Sequence, residues 1–262
     1  MFGSDMVEFL GSKEEDVSGF NSEQLDLSQN IEAINESIKD FDVVINATAY
    51  TNVNQAESEP EMAFELNRDV PEKLAKITAA NKQKLIHIST DYVFDGTKES
   101  PYLTTDKPNP INVYGQSKLA GEIEVSKHNP DALIIRTSWL YGPKGHCFPK
   151  AIINKLKLNE ELSVVDDQFG TPTSTWFLRE FVYRAVTDNF NGGIHHGVPK
   201  GVTSWFGFAA VISADFQNNI NQAKTVLNES VAPRPKNSHL QPDPSTKTTW
   251  QQSWNDIKRE FV

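Results

Sequence analysis

The sequence is poor in cysteine, in net positive charge and in long apolar runs. Cys147 is the single cysteine among 262 residues, so no disulfide can form within the chain and a reducing cytoplasmic compartment is expected. The formal net charge of −10 opposes binding to nucleic acid or to an anionic membrane, because both repel an acidic surface. No stretch approaches the roughly 20 apolar residues that a membrane span needs. The expected partners are therefore small molecules, with no nucleic acid and no membrane among them.

Short apolar runs of strand length alternate with longer segments of helical period along the first half of the chain. Strand-like runs cover 42–48, 84–89 and 132–138, with a weaker one at 16–20, and helical patterns cover 30–40, 67–82 and 109–127. Continuous apolar strands are typical of a parallel sheet that is covered on both faces. The alternation therefore predicts an α/β fold with a Rossmann-type, doubly wound parallel sheet.

After residue 142 the alternation loosens. Helical patterns at 143–162 and 176–188 are separated by a short strand and turn at 163–174, a second short strand follows at 192–198, and 231–247 is a proline-rich loop. This change predicts a main domain of residues 1–142 and 174–200. A small C-terminal lobe of residues 143–173 and 201–262 completes the predicted organisation.

The most informative short pattern is YGQSK, which places Tyr114 and Lys118 four residues apart on a predicted helix. This spacing brings the phenol and the ammonium onto one helical face, about one turn apart. A nearby positive charge favours the phenolate, so the sequence predicts a lowered Tyr114 pKa and a usable proton donor. A chance pairing is the alternative, because this spacing is frequent on helices.

Two predicted strands end in small polar residues. Ser89 and Thr90 close the run 84–89 at the edge where doubly wound sheets place their ligands. A hydroxyl there could hold a carbonyl that Tyr114 protonates, although an ordinary strand-end turn would look the same. The run NATAYT at 46–51 has side chains small enough for a flat ligand to approach the backbone, or for tight packing of a helix on the sheet.

Six segments together resemble one family. NATAYTNVNQAESEP, HISTDYVFDGT, NVYGQSKLAGE, RTSWLYG, VVDDQFGTPT and APRPKNSHL are similar, in this order and at these spacings, to the dTDP-4-dehydrorhamnose reductases, which are extended short-chain dehydrogenases/reductases. The resemblance spans nearly the whole chain. It implies an NAD(P)-binding main domain, a substrate-binding lobe and reduction of the C4 keto group of dTDP-4-dehydro-L-rhamnose to dTDP-L-rhamnose.

The resemblance also assigns roles to individual residues. Tyr114 would donate a proton to the C4 oxygen, Lys118 would hold the nicotinamide ribose, and Thr90 would hydrogen-bond the reacting oxygen. Further contacts to the sugar or its diphosphate are implied for Asp91, Trp139, Arg234 and Asn237. Contacts to the cofactor are implied for Phe2, Gly3, Asp26, Leu27, Ala47, Ala49, Tyr50, Thr51 and Ile88.

The sequence does not decide between NADPH and NADH or whether a metal binds. The segment after residue 18 offers neither an acid for a ribose 2′-hydroxyl nor an arginine for a 2′-phosphate, so NADPH and NADH are both compatible. The resemblance leaves room for Mg²⁺, but no pattern indicates a metal site. His195 and His196 are adjacent, lack metal-ligand spacing and are interpreted as structural. The resemblance is compatible with a monomer or a homodimer.

The first three residues, MFG, match the end of a glycine-rich phosphate-binding loop. A central strand and two glycines would normally precede Gly3 in this fold. We therefore expect a chain that begins inside the usual sequence, at an internal methionine, with a gap between the two neighbours of the absent strand. Such a chain is expected to bind its cofactor weakly and to be poorly stable.

Two alternatives stay open on the sequence alone. Asn54 replaces a usual aspartate, and His146 and Cys147 stand where an Asn-Phe pair is common, so the substrate could be a related nucleotide 4-keto-deoxysugar. A non-catalytic regulatory subunit of the same fold is the second alternative, since related proteins regulate methionine adenosyltransferase. The presence of Thr90, Tyr114 and Lys118 argues against it, whereas the absent glycines favour it.

Overall fold

The computed structural model describes residues 1–160, 162–215, 221–223 and 232–261. A π-helical turn, Glu65–Asp69, joins two of the helices, and 3₁₀ turns follow at Asp91–Val93 and Lys258–Phe261. The helices are α1 Phe2–Ser12, α2 Ile31–Ile38, α3 Val53–Ala56, α4 Pro60–Phe64, α5 Val70–Asn81, α6 Val113–His128, α7 Phe148–Lys157, α8 Thr175–Thr187, α9 Trp205–Asp215 and α10 Trp250–Ile257. The strands are β1 Val43–Asn46, β2 Lys84–Thr90, β3 Leu133–Thr137, β4 Leu140–Tyr141, β5 Ser163–Val165, β6 Phe169–Gly170, β7 Thr173–Ser174, β8 Gly193–His196, β9 Thr203–Ser204 and β10 Asn221–Ala223.

The central sheet is parallel and has the order β1-β2-β3-β8. Alternate residues of its strands point into two separate apolar clusters, as the two-residue period of a strand requires. Ile86 and Ile135 pack against α1 and α8 on one face. Leu85 and Ile134 pack against α2, α5 and α6 on the other. The predicted doubly wound α/β fold is thus confirmed.

The expectations for the start of the chain need correction. Residues 16–20, predicted as a weak strand, form irregular chain. Among the described residues no strand pairs with the outer side of β1, so the sheet ends at an edge strand and has no gap between two neighbours. Two of the five residues in DVSGF are small or flexible and one is charged, which explains why this stretch does not hold a strand.

A third apolar cluster lies in the C-terminal part of the chain. It contains residues of α7, α9 and α10, with Tyr141, Trp254 and Phe208 at its centre. α10 begins with a capping box, in which Thr249 and Gln252 satisfy each other's backbone amides. This cluster is consistent with the small lobe, whose boundaries at 143–173 and 201–262 stay a prediction. No helix in the described ranges combines the length and the apolar character needed to cross a membrane.

A close helix contact fixes α6 against the π-helical turn. A Cβ added at Gly121 would lie 2.0 Å from the Asn67 carbonyl oxygen, far inside contact distance. We expect Gly121→Ala to lower the free energy of unfolding by about 1–3 kcal/mol, because the helix must move away from this backbone. Chemical denaturation measures the loss. The matched control is Gly11→Ala in α1, where a Cβ meets nothing within 4 Å; equal losses in both variants would contradict the close packing.

Candidate active site

The catalytic residues proposed from the sequence come together at the carboxyl end of β2. Thr90 is the last residue of this strand, and α6 begins beside it. Asn112 caps α6, because its Oδ1 accepts a hydrogen bond of 2.7 Å from the Gly115 amide. The cap places Tyr114 in the first turn of α6 and Lys118 one turn later, on the same side of the helix.

Gly115 lets the start of α6 approach the loop that follows β2. A Cβ at this position would lie 2.2 Å from the Tyr92 carbonyl oxygen. The rings of Tyr92 and Tyr114 consequently meet edge to face, with their centroids 5.8 Å apart. This contact, together with the Asn112 cap, fixes the direction in which the Tyr114 ring leaves the helix.

Lys118 is buried, and its ammonium is held in one place. The Nζ atom donates a hydrogen bond of 2.7 Å to the Ile88 carbonyl oxygen. Burial lowers the Lys118 pKa to about 8, against the opposing effect of the Glu122 carboxylate. Lys118 therefore links α6 to β2 and keeps an ammonium directly beneath the carboxyl edge of the sheet.

The structure corrects the predicted direction of the Tyr114 pKa. Burial raises this pKa to about 12; the nearby Thr90 hydroxyl opposes the rise, and the Asp91 carboxylate contributes to it. Desolvation therefore outweighs any benefit from the nearby Lys118 ammonium. Tyr114 is a neutral phenol at neutral pH, which is the protonation state that a proton donor needs.

Asp91 is the second carboxyl-edge residue with an unusual environment. Its side chain is 2% exposed, its Oδ1 accepts a hydrogen bond of 3.1 Å from the Thr90 hydroxyl, and its Oδ2 has no hydrogen-bond partner. Burial raises the Asp91 pKa to about 7, although the nearby Ser238 and Thr90 hydroxyls oppose the rise. This carboxyl is thus poised to change its protonation near neutral pH.

A buried ion pair that the sequence analysis did not identify lies under this edge. Glu122, one turn beyond Lys118, accepts hydrogen bonds of 2.9 and 2.6 Å from Arg136 on β3. The Ser89 hydroxyl donates to the same carboxylate at 2.5 Å. Glu122 and Arg136 are 3% and 1% exposed. The four-residue spacing from Lys118 is a sequence signal that could have placed Glu122 on the same helical face, but its partner Arg136 becomes visible only when β3 is placed beside β2.

Two residues predicted to contact the cofactor lie together beside β1. A Cβ on Gly3, at the start of α1, would lie 3.6 Å from the Ala47 Cβ, and Ala47 is exposed just past the end of β1. Phe2, the third predicted contact here, is 5% exposed and packs in the core. Only the backbone of Phe2 could therefore face a ligand at this point. Ile88, predicted to touch the cofactor, contributes the carbonyl that binds Lys118.

The segment 49–51 is held by side chains from two helical turns. The Asn67 side chain accepts from the Tyr50 amide at 2.9 Å and donates to the Tyr50 carbonyl at 3.1 Å. It also donates to the Ser117 hydroxyl on α6. The Tyr50 hydroxyl donates to Glu59 at 2.7 Å. Ala49 and Thr51 flank this anchor, so the predicted wall is built on a fixed backbone, and Asn67 is a second positioning residue that the sequence analysis missed.

Asp26 and Leu27 lie in a turn before α2. The Asp26 carboxylate accepts a hydrogen bond of 2.9 Å from the Ser28 amide, and hydrogen bonding to Ser28 lowers the Asp26 pKa. Lys73 on α5 donates to the carbonyls of Leu27 and two following residues. Asn30 caps α2, because its Oδ1 accepts a hydrogen bond from the Ala33 amide. The Asp26 carboxylate remains exposed, so it is free to accept a ligand hydroxyl.

Trp139 occupies a strained position between β3 and β4. Its φ of 44° lies in the left-handed region, which is unusual for a bulky residue. The indole stacks on Trp205 of the lobe, with centroids 3.7 Å apart and planes 7° apart. Gly170 allows this arrangement, because a Cβ there would lie 2.6 Å from the Trp139 ring. The strain is consistent with the predicted sugar contact, which stays a prediction.

The two residues predicted near the diphosphate have different environments. Arg234 donates hydrogen bonds of 2.7 Å to the Asn54 Oδ1 and 2.6 Å to the Ala232 carbonyl. Burial raises the pKa of the neighbouring Tyr92 phenol, and the Arg234 charge opposes this rise. Asn237 instead donates 2.7 Å to the Lys98 carbonyl. Arg234 thus lies close to the carboxyl edge of β2. The Asn237 amide instead stabilises the loop that contains Lys98.

The histidines and the acidic residues give one group with metal-ligand geometry in the described part of the chain. Ligand atoms of Glu72, Glu124 and His128 lie within 4.8 Å of one another on α5 and α6. His128 is ten residues beyond Lys118, roughly 15 Å along the helix.

His196, interpreted from the sequence as structural, hydrogen-bonds the Gln241 carbonyl at 3.0 Å, and burial lowers its pKa to about 4.

Known proteins with similar sequences identify the family of this chain. The dTDP-4-dehydrorhamnose reductase of Escherichia coli K12 is 38% identical over 225 residues, which are 80% of this chain and 75% of that protein. The reductase of Sinorhizobium fredii is 37% identical over 86% of this chain and 82% of its own length. Both matches confirm the resemblance on which the sequence analysis relied.

Solved structures give the same result. The dTDP-4-dehydrorhamnose reductase of Bacillus anthracis in complex with NADP has a TM-score of 0.92 and 33% identity, covering 99% of this chain and 95% of that one. The reductase of Yersinia enterocolitica has a TM-score of 0.89 and 28% identity, covering 100% and 96%. The family described as the RmlD substrate binding domain matches residues 1–261. The chain belongs to this RmlD family, the family of the dTDP-4-dehydrorhamnose reductases.

Proposed function

We propose that this protein reduces the C4 keto group of dTDP-4-dehydro-L-rhamnose to dTDP-L-rhamnose with a reduced nicotinamide cofactor. The observation that carries the proposal is the joint placement of Thr90, Tyr114 and Lys118 at the carboxyl edge of β2. A neutral phenol and a strand-end hydroxyl beside a buried ammonium suit protonation of a developing alkoxide. Family membership supplies the substrate class.

Residues at the start of α1 and after β1 fit a dinucleotide cofactor. Gly3 and Ala47 are small and adjacent, so a pyrophosphate could approach the first-turn amides of α1, where the helix dipole favours an anion. The cofactor would supply the hydride. We propose NADPH as the main donor because the Bacillus anthracis relative was solved with NADP, and NADH as the alternative that a direct comparison tests.

Each catalytic side chain has a defined task in this proposal. Thr90 donates a hydrogen bond to the substrate carbonyl oxygen and orients the carbonyl toward Tyr114. Tyr114 releases its phenolic proton to that oxygen as the charge develops. Lys118 stays fixed by the Ile88 carbonyl, so its ammonium stabilises the resulting phenolate without moving. Trp139 and Asp91 border the sugar.

Arg234 is proposed to bind the diphosphate of the nucleotide sugar. We expect Arg234→Met to raise the KM for the nucleotide sugar about tenfold to a hundredfold with little change in kcat, since a charge-assisted hydrogen bond contributes roughly 1.5–3 kcal/mol. Steady-state kinetics measures both parameters. Arg234→Lys is the matched control, because it keeps the charge and should recover part of the affinity. An unchanged KM in Arg234→Met would remove this assignment.

The assay for the proposed function follows the loss of the reduced cofactor. NADPH or NADH is mixed with protein and dTDP-4-dehydro-L-rhamnose, and a related nucleotide 4-keto-deoxysugar serves as the competitor. We expect the largest kcat/KM with the rhamnose precursor and NADPH. A larger value with the competitor would change the substrate, and no consumption with any keto sugar would overturn the function. We also propose a cytoplasmic location and a monomer or homodimer, which cell fractionation and sedimentation test.

A further inference from the structure

Three side chains of metal-ligand type meet where α5 and α6 pack together. Glu72 lies in the first turn of α5, and Glu124 and His128 lie one turn apart near the end of α6. Each side chain offers one ligand atom, and these atoms lie within 4.8 Å of one another. His128 is roughly 15 Å along α6 from Lys118, so this group is separate from the candidate active site.

The backbone beneath this group is fixed by the contact between the two helices. The Asn129 side chain, directly after α6, donates a hydrogen bond of 3.0 Å to the Thr78 hydroxyl on α5. Val125 of α6 is buried and shares an apolar cluster with Leu74 of α5. Ligands that are held in place before an ion arrives lose less conformational freedom on binding, which favours the bound state.

The His128 ring nitrogen is the observation that indicates an ion. Its Nε2 atom is buried and has no hydrogen-bond partner, although it lies 3.5 Å from the Glu72 Oε1 and 3.3 Å from the Glu124 Oε2. A charge-assisted N–H···O hydrogen bond is normally about 2.7–2.9 Å long. Both separations are longer than that, so the glutamates leave this nitrogen unsatisfied, which is costly for a buried polar atom.

The same two separations fit one shared ion. Tetrahedral zinc binds imidazole nitrogen at about 2.0–2.1 Å and carboxylate oxygen at about 2.0–2.2 Å, which places neighbouring ligand atoms about 3.3–3.5 Å apart. The two carboxylate oxygens lie within 4.8 Å of each other, so rotation of one glutamate side chain closes the third edge. A water molecule would complete the tetrahedron. Imidazole nitrogen favours zinc over magnesium, which prefers oxygen ligands alone.

We propose that Glu72, Glu124 and His128 bind a zinc ion that joins α5 to α6. The proposal goes beyond the proposed function and does not depend on it, because the three side chains are separate from the candidate catalytic residues. The ion is structural. It binds the folded chain, in which the two helices are together, and therefore raises the stability of the fold by mass action.

Two lysines compete with the ion for the same oxygens. Lys76 donates to the Glu72 Oε1 at 2.6 Å, and Lys127 donates to the Glu124 Oε2 at 2.8 Å. Both lysine side chains are exposed, by 39% and 59%, so their ammonium groups can move into water when the ion binds. Because this displacement opposes binding, we expect a micromolar rather than a nanomolar Kd for Zn²⁺.

Isothermal titration calorimetry of the full chain with Zn²⁺ tests the site. We expect one ion per chain, and about a hundredfold weaker binding in His128→Gln, which removes the nitrogen ligand. His146→Gln is the matched control, because it removes an exposed histidine elsewhere and should bind zinc as the wild type does. We expect Mg²⁺ to bind at least about tenfold more weakly than Zn²⁺. Zinc affinity that His128→Gln leaves unchanged, no zinc binding in the wild type, or equal affinity for Mg²⁺ would overturn the proposal.

Removal of a competing lysine gives an effect of opposite sign. We expect Lys127→Ala to tighten zinc binding about threefold to tenfold, because it frees the Glu124 oxygen and removes a positive charge. In thermal melts, Zn²⁺ at a hundredfold excess over its Kd should raise the wild-type Tm by about 5–10 °C and leave that of His128→Gln unchanged. Unchanged or weaker binding in Lys127→Ala, or a Tm rise that His128→Gln shares, would contradict the site. These measurements need no turnover, so a failure of the proposed function leaves their outcome unaffected.

Discussion

Replacing Tyr114 by phenylalanine is expected to lower kcat for keto-sugar reduction by about 10²- to 10⁴-fold, the usual contribution of a positioned proton donor. The ring would keep its edge-to-face contact with Tyr92, so the fold and the KM should change little. The loss follows from the neutral phenol that burial maintains at pH 7. Steady-state consumption of the reduced cofactor measures the effect.

A second tyrosine provides the matched control. Tyr183 carries a hydroxyl that donates to Glu15 at 3.1 Å, and Tyr183→Phe makes the same chemical change on α8, which carries none of the candidate catalytic residues. We expect it to retain the wild-type kcat. A Tyr114→Phe variant that turns over as fast as Tyr183→Phe would show that another group donates the proton.

Neutralising Glu122 is expected to cause the largest loss of stability. Glu122→Gln would leave the Arg136 guanidinium buried without its countercharge, which costs about 3–5 kcal/mol of unfolding free energy. The pair joins α6 to β3 at full burial, and Ser89 completes it. Because the Glu122 charge raises the Lys118 pKa, the variant should also lower that pKa below about 8. Chemical denaturation and the alkaline limb of the pH profile measure the two effects.

Two further variants distinguish burial from the charge itself. Glu124→Gln, on the same helix, breaks an exposed pair with Lys127 and should cost at most about 1 kcal/mol. Glu122→Leu combined with Arg136→Met should recover most of the stability, since two apolar side chains no longer require charge compensation. Equal losses for Glu122→Gln and Glu124→Gln would contradict the role of the buried pair.

The central strands could be predicted because each is a continuous apolar run. Val43–Asn46, Lys84–Thr90 and Leu133–Thr137 all coincide with predicted runs. The helix α9, Trp205–Asp215, was not predicted, since it is apolar on all sides and shows no helical period. The helix α10 was missed although Thr249 and Gln252 carry a readable capping box.

The candidate site could be placed from the sequence, but its electrostatics could not. The motif spacing predicts that Tyr114, Lys118 and Thr90 lie together, because helix period and strand ends are local properties of the chain. The predicted lowering of the Tyr114 pKa was wrong, since the pKa is set by burial, and burial depends on how α6 packs against the loop after β2. Arg136 could not be paired with Glu122 from the sequence, because parallel strand order joins residues that are distant along the chain.

The most direct test of the central claim follows the hydride itself. A cofactor carrying deuterium at the transferable position is incubated with the protein and dTDP-4-dehydro-L-rhamnose, and the product is analysed by NMR and mass spectrometry. We expect one deuterium at C4 of dTDP-L-rhamnose, with the hydroxyl proton drawn from solvent, and a rate that falls sharply in Tyr114→Phe. Product without deuterium at C4, or the same rate in Tyr114→Phe, would contradict it.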